Sequence, residues 1–140
     1  MNGKNWIVTG SILAGIAVAM GALAAHGLES WLAQHFPDDA PKRIENWKTA
    51  ANYQMYHAIG IVLVGIVGGW TNLNRWLNVS AWAMLAGIGL FSGLLYAWVL
   101  TDIGWLVMFV PLGGISFILG WFGLAGAVGA CVPANGKSCP

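Results

Sequence analysis

His26, Tyr53, Gln54, His57, Ser92 and Tyr96 are polar side chains set in or beside segments that are otherwise apolar. Their types allow three chemistries. The first is hydrogen bonding between helices, because lipid offers a buried polar group no partner. The second is a proton relay or small-solute path through His57, Gln54 and Tyr96, since imidazole titrates near neutral pH and ionisable groups inside membranes often mark pathways. The third is a haem or metal held by His26 and His57. Against a metal, the apolar segments contain no acidic residue. Against haem, His26 stands at the rim of its segment. No Ser/His/Asp arrangement, phosphate-binding loop or carboxylate pair occurs, and Asp38 and Asp39 fall in a loop, where they are expected to cap a helix. The expectation carried forward is a polar interhelical cluster with no cofactor, no metal and no catalytic residue.

The elements that must position these groups are read from hydropathy. The stretch from Pro41 to Trp70 begins charged, becomes mixed, and ends in a run whose only polar group is a Trp indole. It reads as one long helix that starts in water and ends in a bilayer. Asn46, Ala50, Tyr53, Gln54, His57 and Ile61 share one face of it. Four spans follow from the same reasoning, at about 6–25, 53–70, 80–100 and 105–130, each long enough to cross about 30 Å of hydrocarbon. The first is taken as a span and not a signal peptide because its apolar run exceeds a usual signal core. Between the first two spans, residues 28–36 form a short amphipathic helix in the interface plane, with Trp31 at headgroup level and His35 solvated. The polar turn from Thr71 to Asn78 carries an Asn78-Val79-Ser80 sequon, which is read as structural because it abuts a span. Thr101 to Gly104 only turns the chain, and Pro111 is the expected kink point of the last span. The fold class is therefore all-α: one domain, an integral membrane four-helix bundle, with both termini on one side. His26 and His57 should stand at the same membrane face, within reach of each other.

Composition agrees. The chain has 140 residues, 58% hydrophobic and 8% charged, with nine Trp and a mean hydropathy of +0.69. Soluble domains carry about 25% charged residues. The net charge of +1 and scattered basic residues argue against nucleic acid. Cys131 and Cys139 lie in a patternless tail, 131–140, and read as free thiols, or as a disulfide if that end faces an oxidising compartment. In lipid, helices associate by close packing more than by apolar burial. Small residues recur every fourth position at Ser11/Gly15/Ala19, Ala17/Gly21/Ala25, Gly89/Gly93/Ala97 and Gly123/Ala127. Gly15, Gly21, Gly89, Gly93, Gly113 and Gly114 are the expected packing positions. Lys and Arg divide three to each side, so they do not choose an orientation.

Four segments, taken together, carry a resemblance: Gly21-Ala22-Leu23-Ala24-Ala25-His26-Gly27-Leu28, Tyr53-Gln54-Met55-Tyr56-His57-Ala58, Leu90-Phe91-Ser92-Gly93-Leu94-Leu95-Tyr96, and Pro111-Leu112-Gly113-Gly114 with Gly120-Trp121. In this order they resemble the bacterial domain of unknown function 423 family, which includes the animal transmembrane protein 256. The match covers roughly residues 15 to 126. Leu94 and Val110 depart from it, standing where the family pattern has Ser and Thr. The resemblance implies a small four-span protein of the bacterial inner membrane with cytoplasmic termini, and it implies no reaction. The expected role is a non-enzymatic accessory, scaffold or oligomeric membrane subunit, with membrane lipids and a homo-oligomer or larger membrane complex as partners. Transport and haem binding are the competing classes.

Overall fold

The computed structural model describes residues 2–71 and 75–130. The expectations for the tail, with Cys131 and Cys139, and for 72–74 of the polar turn fall outside these residues. Six α-helices follow in order: α1 (Gly3–Leu23), α2 (Glu29–His35), α3 (Ala40–Thr71), α4 (Arg75–Gly87), α5 (Leu94–Thr101) and α6 (Val110–Gly129). Among the described residues, four helical stretches are long and apolar enough to cross a membrane: Gly3–His35, Ala40–Trp70, Arg75–Thr101 and Gly104–Gly129. Packed together, they make an all-α membrane bundle.

Local chemistry explains where each helix begins and ends. Asn2 caps α1, its side-chain oxygen accepting from the Asn5 N–H at 2.9 Å. The chain leaves α1 at His26 (φ −128°, ψ 67°) and Gly27 (φ 113°). Only glycine takes the latter value without strain. The break swings α2 across the end of the bundle, burying Leu28 and Leu32. Trp31 and His35 instead stack on each other, with ring centroids 4.2 Å apart. Between α4 and α5 the chain makes a wide π-type turn, Ile88–Gly93. Such a turn re-aims a side chain without ending the helix, and Ser92 lies within it. Pro111 does not kink a span. A tight 3₁₀ stretch, Gly104–Phe109, precedes α6, and Pro111 falls in the first turn of α6, where its missing N–H costs no helical bond.

The most extensive helix pair is α1 against α3, and small residues set its spacing. A Cβ added to Gly10 would lie 2.7 Å from the Ala58 carbonyl oxygen, and one added to Gly65 2.6 Å from the Gly3 oxygen. The buried positions continue this step of seven along both helices: Gly10 and Ala17 on α1 with Ala24 just past its end, and Ile44, Ala51, Ala58 and Gly65 on α3. A seven-residue seam is the antiparallel coiled-coil solution for two helices in lipid. The sequence-based choice of packing glycines differs from this. Of the six, only Gly113 meets a neighbouring helix closely, its added Cβ falling 2.5 Å from the Phe91 nitrogen. Gly93 has only a carbonyl of its own turn nearby, and Gly15, Gly21, Gly89 and Gly114 face open space. The cause is that α1 is apolar and small-residued all round, so a four-residue stripe does not tell the inner face from the outer one. The second pair, α4 against α6, closes around Met84, which fills the space beside Gly60 and Gly120.

Candidate functional site

Two polar constellations lie inside the bundle. The first is centred on Gln54, which is buried in α3. Its Nε2 donates to the Leu13 carbonyl of α1 at 2.9 Å. Its Oε1 accepts from the Tyr96 hydroxyl of α5 at 3.1 Å. One amide thus ties three helices, and it does so beside the middle of α1. One turn earlier on α3, the Ala50 carbonyl accepts from Ser92 at 2.8 Å. One turn later stands His57. Its Nδ1 lies 2.6 Å from the Tyr53 carbonyl, which can only accept, so Nδ1 carries the proton. The His57 ring is stacked on Phe117 of α6, with centroids 3.4 Å apart at 12°. Tyr53 contributes that carbonyl. Its own side chain turns outward, stacked on Phe91 at 4.8 Å.

His26 does not join this group. The Gln54–Leu13 and Trp47–Met20 hydrogen bonds fix the antiparallel register of α1 and α3. Continued to the end of α1, that register sets His26 opposite residues 41–42. His57 lies about fifteen residues further along α3, or about 23 Å at helical rise. Two imidazoles so separated cannot ligate one iron. Haem added to the purified protein is therefore expected to give no bis-imidazole low-spin spectrum. A red-shifted Soret band lost in both His26→Ala and His57→Ala would contradict the register. Among the described residues, no group of three or more His, Cys, Asp or Glu could hold a metal ion.

The Gln54 bridge gives a graded prediction. Tyr96→Phe removes one hydrogen bond and should lower stability by about 0.6 kcal/mol, the average for interhelical bonds in membrane proteins. Gln54→Leu removes two and orphans the tyrosine hydroxyl, so a loss of about 1–2 kcal/mol is expected. Reversible unfolding in mixed micelles checks the order; equal effects would show that the amide does not bridge.

The second constellation was not anticipated from the sequence. Arg43, only 2% exposed, is gripped from all sides. Its Nε donates to Asp39 at 2.8 Å and its Nη2 to Asp102. Its Nη1 donates to the carbonyls of Trp98 and Val99 at 3.2 and 3.0 Å. The guanidinium carbon stands 3.8 Å from the Phe36 ring centroid and 4.9 Å from that of Trp98. Asp102 reaches it from a left-handed position (φ 60°) just past the end of α5. Arg43 therefore holds the loop before α3 and the C-terminal end of α5 as one unit. Asp39, expected as a helix cap, uses its carboxylate here instead. The i,i+4 spacing of Asp39 and Arg43 was a visible signal. Asp102, the lone acidic residue of the second half of the chain, was a weaker one. A concavity of about 310 Å³ beside them is lined by residues including His35, Asp38 and Asp102.

Other polar groups are likewise tied across helices. Ser80 donates to the Gly120 carbonyl at 2.5 Å and Ser116 to that of Ala83 at 2.7 Å. The Trp6 indole donates to Asn78 at 2.8 Å, which gives the asparagine of the sequon a structural task.

The family profile described as "Protein of unknown function (DUF423)" matches residues 20–114. The chain is 40% identical over 118 residues to the UPF0382 membrane protein YwdK of Bacillus subtilis, covering 84% of this chain and 90% of that one. It is 39% identical over 118 residues to a UPF0382 membrane protein of Staphylococcus epidermidis, and equally to UPF0382 membrane protein SAB0533 of Staphylococcus aureus. Each alignment covers 84% of this chain and 89% of the relative. No solved structure matches.

Proposed function

The chain belongs to the DUF423 family of membrane proteins, and we propose for it a non-enzymatic role, as an accessory, scaffold or oligomeric subunit of a membrane assembly. The observation that carries the reading is how the interior polar groups are used. Among the described residues, every buried side-chain nitrogen or oxygen already has a hydrogen-bond partner. Arg43, Gln54, Ser80 and Ser92 bond to other helices or loops, and His57 bonds within its own helix while its ring stacks on another. Groups engaged in this way hold a bundle together; they leave little to line a pathway or to act on a substrate. Cross-linking in native membranes, followed by extraction in mild detergent, tests the reading. It expects one stoichiometric partner or a defined homo-oligomer. A monodisperse monomer that captures nothing would oppose it.

The reading includes a place in the bacterial inner (plasma) membrane with both ends in the cytoplasm. Lys and Arg divide evenly, but the five carboxylates, Glu29, Asp38, Asp39, Glu45 and Asp102, all stand on the side of α2 and the α5–α6 connection. A membrane potential negative inside then favours the opposite, wholly basic side inward. A fluorescent-protein fusion at the C-terminus should be bright and an alkaline phosphatase fusion inactive; the reverse pattern would invert the orientation.

A further inference from the structure

The side of the bundle where α1 begins and α6 ends has an apolar groove, and its mouth has one sign of charge. The groove runs between the start of α1 and the end of α3. Its walls include Ile7, Val8 and Ile66, its floor is Gly69, Gly65 borders its closed inner end under α1, and Lys4 and Trp70 stand at its mouth. Gly69 leaves open space where a side chain would be. Trp70 is 83% exposed, as expected of an indole at headgroup level. All five side-chain carboxylates lie at the other end of the bundle, so no carboxylate of the described helices competes for Lys4. A second groove at this same end repeats the pattern. Gly123 and Gly126 line it beside Trp76, on whose ring the Arg75 guanidinium lies at 5.3 Å.

We propose that the α1/α3 groove is a binding site for an anionic glycerophospholipid. One acyl chain lies over Gly69, between Val8 and Ile66. The phosphate meets Lys4, and Trp70 borders the glycerol. The choice of occupant rests on charge complementarity. A neutral apolar surface would take any lipid, but the Lys4 ammonium at headgroup level, with the side-chain carboxylates of the described residues at the opposite face, selects a net negative headgroup. The same end of a second copy would bring another Lys4 to the mouth, which disfavours self-docking there. The site stands whether or not the accessory-subunit reading holds, because it needs only the bundle and the bilayer.

The test is native mass spectrometry of the full chain released from nanodiscs of equal phosphatidylglycerol and phosphatidylcholine. The chain should retain phosphatidylglycerol about fivefold over phosphatidylcholine, the preference one cation near the surface supplies. Lys4→Gln should bring the ratio to near one. Gly69→Leu, which fills the floor, should remove both lipids, and Lys48→Gln on the opposite side should change nothing. If Gly69→Leu does not fold, Val8→Trp fills the groove from its other wall. Equal retention of the two lipids by the unaltered chain would overturn the proposal, as would undiminished phosphatidylglycerol in the filled-groove variants. A disulfide-linked dimer of Gly69→Cys in a background with Cys131 and Cys139 replaced by Ser would put a second copy in the groove and overturn it equally.

Discussion

Arg43→Ala is expected to lower the stability of the bundle by about 2–3 kcal/mol. The size follows from weighing the partners. Breaking a fully buried ion pair costs about 3–5 kcal/mol, because the orphaned charge cannot reach water. Here Arg43 is 2% exposed, but the side chains of Asp39 and Asp102 are 39% and 60% exposed. Both carboxylates would be rehydrated once the arginine is gone, so the electrostatic loss falls below that range. What is not recovered is the pair of bonds to the Trp98 and Val99 carbonyls and the packing of the guanidinium between Phe36 and Trp98. Arg43→Lys should restore less than half, because an ammonium cannot address acceptors spread around a planar fork. Asp102→Asn should cost about 1 kcal/mol, since asparagine keeps the left-handed backbone and loses only the charge. Unfolding in mixed micelles by circular dichroism checks all three. Equal stability of the Lys and Arg proteins would mean that only the charge matters.

Gly10→Leu or Gly65→Leu should be at least as damaging, with losses of about 3 kcal/mol or failure to accumulate in the membrane. Each Cβ would meet backbone, which cannot rotate away as a side chain can: at Gly10 the Ala58 oxygen and the Val62 nitrogen, at Gly65 the Gly3 oxygen and the Ile7 nitrogen. Overpacking ordinarily costs about 1–3 kcal/mol, and more where backbones must separate. Gly15→Leu and Gly21→Leu are the matched controls. They place the same side chain on the same helix where nothing lies within 4 Å, and stability should be unchanged. Destabilisation by all four would show that glycine content, not the seam, sets the packing.

The contrast between Gly10 and Gly15 also shows what the sequence could convey. The spans were legible because lipid imposes long apolar runs whatever the packing. Which face of α1 turns inward was not, because Gly, Ala and the branched apolar residues occur around its whole circumference. Gln54, Ser92 and Tyr96 were legible as a group, since a polar residue in such a run must find a partner. The distance between His26 and His57 was not. The one long helix from Pro41 is legible, but not that α1 runs beside its charged first half; the Trp47–Met20 bond shows the two paired well before Tyr53, which carries His26 past His57. The Arg43 clasp was hidden for a related reason. Near the charged start of a helix an arginine reads as solvated, and the bond that buries it joins residues 43 and 102.

Proton flux tests most directly the claim that the interior polar groups serve packing alone. The protein, reconstituted in liposomes loaded with a pH-sensitive dye, is given an imposed proton gradient. The account predicts decay at the rate of protein-free liposomes, for the unaltered chain and for His57→Ala and Gln54→Leu alike, with both variants less stable than the unaltered chain because each loses a buried interhelical contact. A flux carried by the unaltered chain and lost in His57→Ala would contradict it.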